Sequence, residues 1–244
     1  MVKTDMASLI IIITVAVFFL QIYYFNQYGE NFLDYLFTNF GFTPQNLFQG
    51  QWWTLVTSIF LHATPQHIIL NMLALFFFGS IVEKELGPKK FLLIYLVSGV
   101  LGNLIIVAGT YLGLGSATIP TIGASGAVFG IMGTAMIIKP LEFVFYPYIV
   151  PIPLIIVAFL YTIVNLVSFI YILSTGTASD ISYISHIGGL LSGIYFGYIE
   201  KGISRSFLIL LAFLLLFLLV PFILLLLPYI SIFNYVDILS KIFK

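Results

Sequence analysis

The sequence contains no cysteine, only three histidines and very little charge. The absence of cysteine excludes disulfides, thiolate metal sites and a cysteine nucleophile. Charged residues make up 7% of the 244 residues, whereas soluble domains carry about 25%. So few charges cannot solvate a chain whose mean hydropathy is +1.15, so the surrounding solvent must be lipid. The net charge of zero argues against nucleic acid as a partner, because phosphate binding needs a concentrated excess of Lys and Arg.

What the sequence does contain is a series of long apolar stretches. A membrane helix needs roughly 20 mostly apolar residues, and short clusters of charge, Gly and Pro separate several such stretches. The expected fold is therefore an all-α polytopic membrane protein. The first span lacks a small-x-small cleavage site and is expected to remain as an anchor. The predicted spans are Ala7–Phe25, Pro65–Val82, Phe91–Leu112, Ser125–Ile138, Pro151–Leu173, Ser182–Ile199 and Phe207–Leu227.

The basic residues predict how these spans are oriented, since short cytoplasmic loops are enriched in Lys and Arg. Seven basic residues fall on one side and only Lys241 and Lys244 fall on the other. This asymmetry predicts a cytoplasmic N-terminus and an external segment Asn26–Gln51, which contains no Lys or Arg. The seven residues on the predicted cytoplasmic side are Lys3, Lys84, Lys89, Lys90, Lys139, Lys201 and Arg205.

The fourth span is too short to cross a bilayer. From Ser125 to Lys139 a helix rises about 21 Å, which is less than a hydrocarbon core of roughly 30 Å. The uncharged segment Gly113–Gly123 precedes it and is expected to lie at membrane depth without helical structure. Because irregular backbone at that depth must be buried in protein or reached by water, we expect a water-filled pocket that opens to the outside.

The predicted orientation makes the second, fourth and sixth spans run from the outside to the cytoplasm. A few polar side chains lie near the outer ends of these three spans, and intramembrane polar groups are functional candidates. His67 and Asn71 are four residues apart and share one helix face, where they could act as paired donors. Ser125 opens its helix, where unpaired backbone N–H groups and the helix dipole favour negative charge. His186 is expected at a similar depth and could accept a hydroxyl proton.

Glycines predict that the fourth and sixth spans touch. Gly126 and Gly130 form one small-xxx-small pair, and Gly189, Gly193 and Gly197 repeat the same spacing. A close crossing of these helices would bring Ser125 within reach of His186. Phe129, one turn below Ser125, is then expected to pack against the imidazole and fix its orientation.

The elements FLHATPQHIILNMLALFFFG, VEKELG, GASGAVFG and SHIGGLLSG, taken in this order, resemble the rhomboid intramembrane serine proteases. The resemblance implies that Ser125 is the nucleophile and His186 the base. No cofactor is expected, and three His without any Cys leave no plausible ligand set for zinc. It also implies an oxyanion hole formed by Asn71, His67 and the Ser125 backbone N–H. The implied partners are transmembrane protein substrates and membrane lipid. The implied organisation is a rhomboid-like six-helix core at 1–200, followed at 201–244 by a seventh transmembrane helix and a short tail.

The resemblance carries further expectations and one departure. It makes Asn26–Gln51 a partly membrane-embedded first loop and Glu83 a structural polar residue. The family usually has Trp-Arg before the second span, but Trp53 is followed here by Thr54. Any role of that Arg in steadying the first loop is therefore open.

The same residues also allow interpretations other than a protease. Ser125 alone could be a packing residue, and His186 could hydrogen-bond a carbonyl or serve a proton pathway. His62 is expected to make a structural hydrogen bond in the outer loop, and Asp180 is assigned no catalytic role. A rhomboid-like pseudoprotease would bind transmembrane clients without cutting them, but such relatives typically lack the Ser or the His. A transporter should show broken helices or charges in two related halves, and the sequence has neither.

Overall fold

A computed structural model describes residues 5–144, 151–175, 182–204 and 206–215 of the chain. Its architecture is helical, with a single pair of two-residue strands, β1 (Phe143–Val144) and β2 (Ile152–Pro153), in the described residues. The long helices are α1 (Met6–Tyr28), α5 (Pro65–Leu86), α6 (Pro88–Tyr111), α7 (Ser125–Ile138), α8 (Leu154–Thr175) and α9 (Tyr183–Lys201). Between α1 and α5 lie α2 (Glu30–Phe40), α3 (Pro44–Phe48), α4 (Thr54–Thr57) and the 3-10 turn Ser58–Phe60. A further apolar helix, α10, covers Ser206–Leu215.

The prediction of an all-α membrane protein is confirmed. Helices α1, α5, α6 and α8 are long and apolar enough to cross a membrane by length and composition. Helix α7 spans Ser125–Ile138, the range that the sequence predicts for the short fourth span. The predicted sixth span corresponds to α9, whose 19 residues include several polar ones. Only part of the predicted seventh span, Phe207–Leu227, falls within the described residues, where it is helical in α10.

Local sequence signals determine where the helix that carries His67 begins and ends. The Thr64 hydroxyl accepts a hydrogen bond of 3.1 Å from the His67 backbone N–H, and Pro65 occupies the first turn of α5. This N-cap satisfies one backbone donor that the helix cannot pair internally. Gly87, with a φ of +84°, ends α5 and joins it directly to α6. His67 is thus fixed in the first turn of α5.

Helix α7 is the centre of the molecule. All of its residues from Gly126 to Ile138 are buried, and it packs against α5, α6 and α9. The expected glycine contact with α9 is present: a Cβ added at Gly189 would overlap the Gly126 carbonyl oxygen, and one at Gly193 would overlap the Gly130 carbonyl oxygen. The two backbones are therefore in direct contact, as small-xxx-small faces allow.

Two ion pairs connect helix ends on the side of the molecule remote from Ser125. Lys90 pairs with Glu200 at 2.7 Å, and Lys139 pairs with Glu85 at 3.0 Å. Glu83 is expected to be a structural polar residue, and its two carboxylate oxygens accept the Met6 and Ala7 backbone N–H groups at 2.7 and 2.8 Å. A carboxylate is well placed at a helix N-terminus, so Glu83 fastens α1 to the end of α5.

The segment between α1 and α5 is held by side chains of Trp and Thr. The Trp53 indole N–H donates to the Asn39 carbonyl at 3.0 Å, and the Thr57 hydroxyl donates to the Phe40 carbonyl at 2.7 Å. Thr54 is fully buried and donates its hydroxyl to the Gln51 carbonyl at 2.7 Å. Side chains of Trp and Thr therefore tie α2 to the turn that leads into α5.

Candidate active site

Ser125 lies at the first position of α7, two residues after a backbone conformation that favours glycine. Gly123 has a φ of +122°, and its N–H donates to the Ser58 carbonyl at 2.9 Å. The preceding loop is tied to the first loop, because Phe42 and Thr121 exchange two backbone hydrogen bonds of 2.9 and 2.8 Å. Ser125 is partly exposed, whereas every later residue of α7 is buried. The hydroxyl therefore sits at the open end of an otherwise buried helix.

His186 faces Ser125 from the first turn of α9. The distance from His186 Nε2 to Ser125 Oγ is 2.7 Å, which is within hydrogen-bond range although the residues are 61 positions apart. The imidazole stacks on the Phe129 ring with centroids 4.4 Å apart and planes 8° apart, so the predicted packing is confirmed. His186 is 8% exposed. Its ring is thus held on one face while one nitrogen points at the serine hydroxyl.

The other ring nitrogen of His186 has a partner that sequence reasoning missed. His186 Nδ1 lies 2.6 Å from Asn165 Oδ1, and the Asn165 Nδ2 donates to the Tyr183 carbonyl at 3.2 Å. Asn165 is 5% exposed in the middle of the apolar helix α8. A buried polar residue in a lipid-facing helix is the signal that could have identified it. Asp180, to which the sequence analysis assigns no catalytic role, lies outside the described residues.

His67 approaches the same place from α5. A Cβ added at Gly123 would lie 2.7 Å from His67 Nε2 and 3.8 Å from Ser125 Oγ. The absent side chain of Gly123 therefore leaves a space between the His67 imidazole and the serine hydroxyl. Asn71, one turn further along α5, is buried and donates from Nδ2 to the His67 carbonyl at 3.0 Å. A carboxamide has two N–H donors, so this bond leaves a second one for another acceptor.

His62 supports the backbone next to Ser125. It is fully buried, its Nε2 accepts the Ala124 N–H at 3.4 Å, and its ring packs edge-on against that of His67 at 4.9 Å. The Gln21 carboxamide holds the His62 backbone from α1, donating to its carbonyl at 3.0 Å and accepting its N–H at 3.3 Å. These contacts give His62 the structural hydrogen bonding that the sequence analysis expects.

Comparison with known proteins places this geometry in a family. The Rhomboid domain family matches residues 49–203, which include Ser125, His186, His67 and Asn71. The rhomboid protease GluP of Bacillus subtilis is 34% identical over 151 residues, covering 60% of this chain and 26% of GluP. The protein YdcA of Bacillus subtilis is 42% identical over 88 residues, covering 34% of this chain and 40% of YdcA. The chain thus spans less than half the length of these two relatives.

A third relative is matched over more of its length. The rhomboid protease AarA of Providencia stuartii is 29% identical over 198 residues, covering 75% of this chain and 68% of AarA. The matches agree with the apolar helices in describing an integral membrane protein that crosses the bilayer several times. Since the family match covers more than half of the chain and spans the four candidate residues, the chain belongs to the rhomboid family.

Proposed function

We propose that this chain is a rhomboid-type serine endopeptidase that cleaves transmembrane segments near the outer membrane face with a Ser125–His186 dyad. The observation that carries the proposal is the 2.7 Å distance between Ser125 Oγ and His186 Nε2. A serine hydroxyl is a weak nucleophile until an adjacent base accepts its proton. A 2.7 Å contact between a partly exposed serine hydroxyl and an imidazole nitrogen is the geometry that a nucleophile and its base require.

The proposed reaction follows the acyl-enzyme scheme. Ser125 Oγ attacks the scissile carbonyl carbon and forms a C–O bond while His186 Nε2 takes the hydroxyl proton. The tetrahedral intermediate then expels the amine, which receives that proton from the imidazolium. Water attacks the acyl-enzyme with His186 again as base, and Ser125 is regenerated. The expected pocket open to the outside would supply this water.

The negative charge of the intermediate needs donors close to Ser125. The proposed oxyanion hole consists of the His67 side chain, the second N–H of the Asn71 carboxamide and the Ser125 backbone N–H. The position of His67 Nε2 beside the space left by Gly123 supports this assignment. The N-terminus of α7 adds to it, because the first N–H groups of a helix have no intrahelical acceptor and its dipole favours an anion.

The proposal extends to the place of the protein in the cell. We assign it to the cell membrane, with the N-terminus cytoplasmic and residues 26–51 outside, and we assign residues 1–200 to the core and 201–244 to a seventh helix with its tail. The ion pairs Lys90–Glu200 and Lys139–Glu85 support one charged face at the ends remote from Ser125. Its partners would be transmembrane protein substrates and the surrounding lipid. A substrate helix must unwind to present its backbone, so Gly or Pro near its outer end is expected.

The direct test is cleavage of a transmembrane substrate by purified protein in detergent. The native chain, Ser125→Ala and the control Ser80→Ala are incubated with a substrate that has a Gly- and Pro-containing outer end. Ser80 is an exposed serine of α5 whose hydroxyl donates to the Phe77 carbonyl. We expect cleavage by the native chain and the control, and none by Ser125→Ala. Specific binding of the substrate by the native chain without cleavage would instead establish the pseudoprotease alternative.

A further inference from the structure

We propose that Asn165 is a positioning residue that fixes the tautomer of His186, so that the site works as a Ser125–His186–Asn165 arrangement. This inference rests on the proposed function. Its foundation is the pair of contacts that the Asn165 carboxamide makes, one to His186 Nδ1 at 2.6 Å and one to the Tyr183 carbonyl at 3.2 Å. Both of these partners belong to α9, whereas Asn165 lies on α8.

The chemistry of these contacts determines where the imidazole proton lies. A backbone carbonyl can only accept, so the Asn165 NH₂ group must face Tyr183 and the Oδ1 atom must face His186. Because Oδ1 can only accept, His186 Nδ1 must carry the proton. A neutral imidazole has one N–H, so Nε2 then presents its lone pair to Ser125 Oγ. The Tyr183 carbonyl of α9 thus fixes the orientation of the Asn165 amide. The amide oxygen in turn keeps the His186 proton on Nδ1, so that Nε2 can act as the base.

The placement of Asn165 is costly without such a role. It lies in an apolar helix with 5% of its surface exposed, and a buried carboxamide must satisfy both its donor and its acceptor. A leucine at this position would pack against the apolar surroundings with no such requirement. Histidine bases in unrelated hydrolases are held by Asp or Asn at the ring nitrogen remote from the nucleophile, and loss of the correct tautomer there costs about 10⁴ in kcat.

The test compares Asn165→Leu, which removes the acceptor, with Asn165→Asp, which keeps an oxygen at the same place. Thr162→Val is the matched control, since Thr162 lies one turn earlier on α8 and its hydroxyl donates only within the helix, to the Ala158 carbonyl at 2.8 Å. We expect kcat to fall between about tenfold and about 10⁴-fold in Asn165→Leu, with KM changed less than about twofold. Asn165→Asp keeps the acceptor for His186 Nδ1 but loses the amide donor to the Tyr183 carbonyl, so it should retain clearly more of the native kcat than Asn165→Leu, and Thr162→Val should match the native chain.

A spectroscopic measurement tests the tautomer without any substrate. The chain has only three histidines, so ¹⁵N-histidine labelling gives few resonances, and the His186→Gln variant assigns those of His186. We expect the His186 Nδ1 signal to be that of a protonated nitrogen in the native chain and in Asn165→Asp, and this preference to be lost in Asn165→Leu.

Three results would overturn the inference: native kcat in Asn165→Leu, equal losses in the Leu and Asp variants, or a native His186 that is protonated at Nε2. Equal losses would show that an acceptor oxygen at His186 Nδ1 is not what the reaction requires. These outcomes differ from failure of the proposed function, which would appear as a native chain that cleaves nothing. In that case the nitrogen spectra still decide whether Asn165 sets the tautomer.

Discussion

Gly123 combines two properties that no other amino acid can supply at this point in the chain. Its φ of +122° lies in a region that residues with a Cβ rarely adopt, and its missing side chain leaves the space beside Ser125 and His67. At the scale of single residues, the geometry of the candidate site therefore depends on the lack of a side chain at Gly123 as well as on the Ser125 hydroxyl and the His67 imidazole.

Substituting Gly123 by Ala should damage catalysis without removing any catalytic group. The added Cβ would sit 2.7 Å from His67 Nε2, so the loop or the ring must shift. Misplacement of a catalytic group by about 1 Å can cost 10²-fold, and we expect a loss of about that size in kcat/KM. The control is Gly115→Ala in the same loop, where the new Cβ would meet only Thr110 Oγ1 at 3.7 Å. Equal activity of the two variants would contradict this account.

The proposed oxyanion donors make a second prediction at this scale. Removing one such donor typically costs 10²–10³ in rate, or about 3–4 kcal/mol of transition-state stabilisation. His67→Ala and Asn71→Ala should therefore each lower kcat by about that factor while substrate binding persists. Cleavage rates and substrate affinity measured on the same preparations separate the two effects. Native turnover in both variants would mean that other groups stabilise the charge.

The residues of the site could be predicted from the sequence to different degrees. Ser125, His186, His67 and Asn71 stand out because each is polar in an apolar span, and their motifs resemble those of a known family. Asn165 carries the same signal, but nothing in its local sequence indicates that α8 would face His186. Such a contact depends on how three separate helices pack, and the apolar pattern of α8 alone does not determine which side faces α9.

At the scale of elements, the crossing of α7 and α9 holds the two halves of the site together. These helices touch through glycines, and Gly189 and Gly193 lie against backbone carbonyl oxygens of α7. The glycine spacing predicts this contact correctly, because small residues four apart allow two helix backbones to approach. A side chain at Gly189 or Gly193 would therefore push α9, which carries His186, away from α7.

Gly189→Ala should therefore lower stability and activity together. A Cβ at this position would overlap the Gly126 carbonyl oxygen, and backbone cannot give way as a flexible side chain can. Overpacking of this kind costs about 1–3 kcal/mol. Leu191→Ala is the control, because that side chain lies on the same helix and is exposed. Thermal unfolding in detergent should show a lower midpoint for Gly189→Ala alone; unchanged melting would mean that the helices are not held this closely.

The helices themselves follow from the sequence more closely than their connections do. The predicted span Ser125–Ile138 has the same bounds as α7, since Gly123 before it and Lys139 after it mark its ends. The predicted fifth span starts at Pro151, whereas α8 starts at Leu154 because Ile152 and Pro153 pair as a strand with residues 143–144. Apolarity does not distinguish these residues from the helix. The pairing of residues 143–144 with Ile152 and Pro153 joins separate segments of the chain, so the local apolar pattern does not predict it.

At the scale of the whole molecule, the arrangement of charge predicts a topology. Exposed Asp34 of α2 should lie outside the cell, and exposed Lys89 at the start of α6 should lie in the cytoplasm. A membrane-impermeant thiol reagent should label Asp34→Cys in intact cells and Lys89→Cys only after permeabilisation. The chain has no native cysteine, so each variant reports on one site. The reverse pattern would refute both the orientation and the outward opening of the site.

The central claim is that Ser125 and His186 act as one catalytic unit, and the most direct measurement is kcat for the native chain, Ser125→Ala, His186→Ala and the double variant. Effects within a catalytic unit are non-additive. We predict that each single variant loses nearly all cleavage of the transmembrane substrate and that the double variant loses little more. Robust cleavage by Ser125→Ala, or separate losses that multiply in the double variant, would contradict the account.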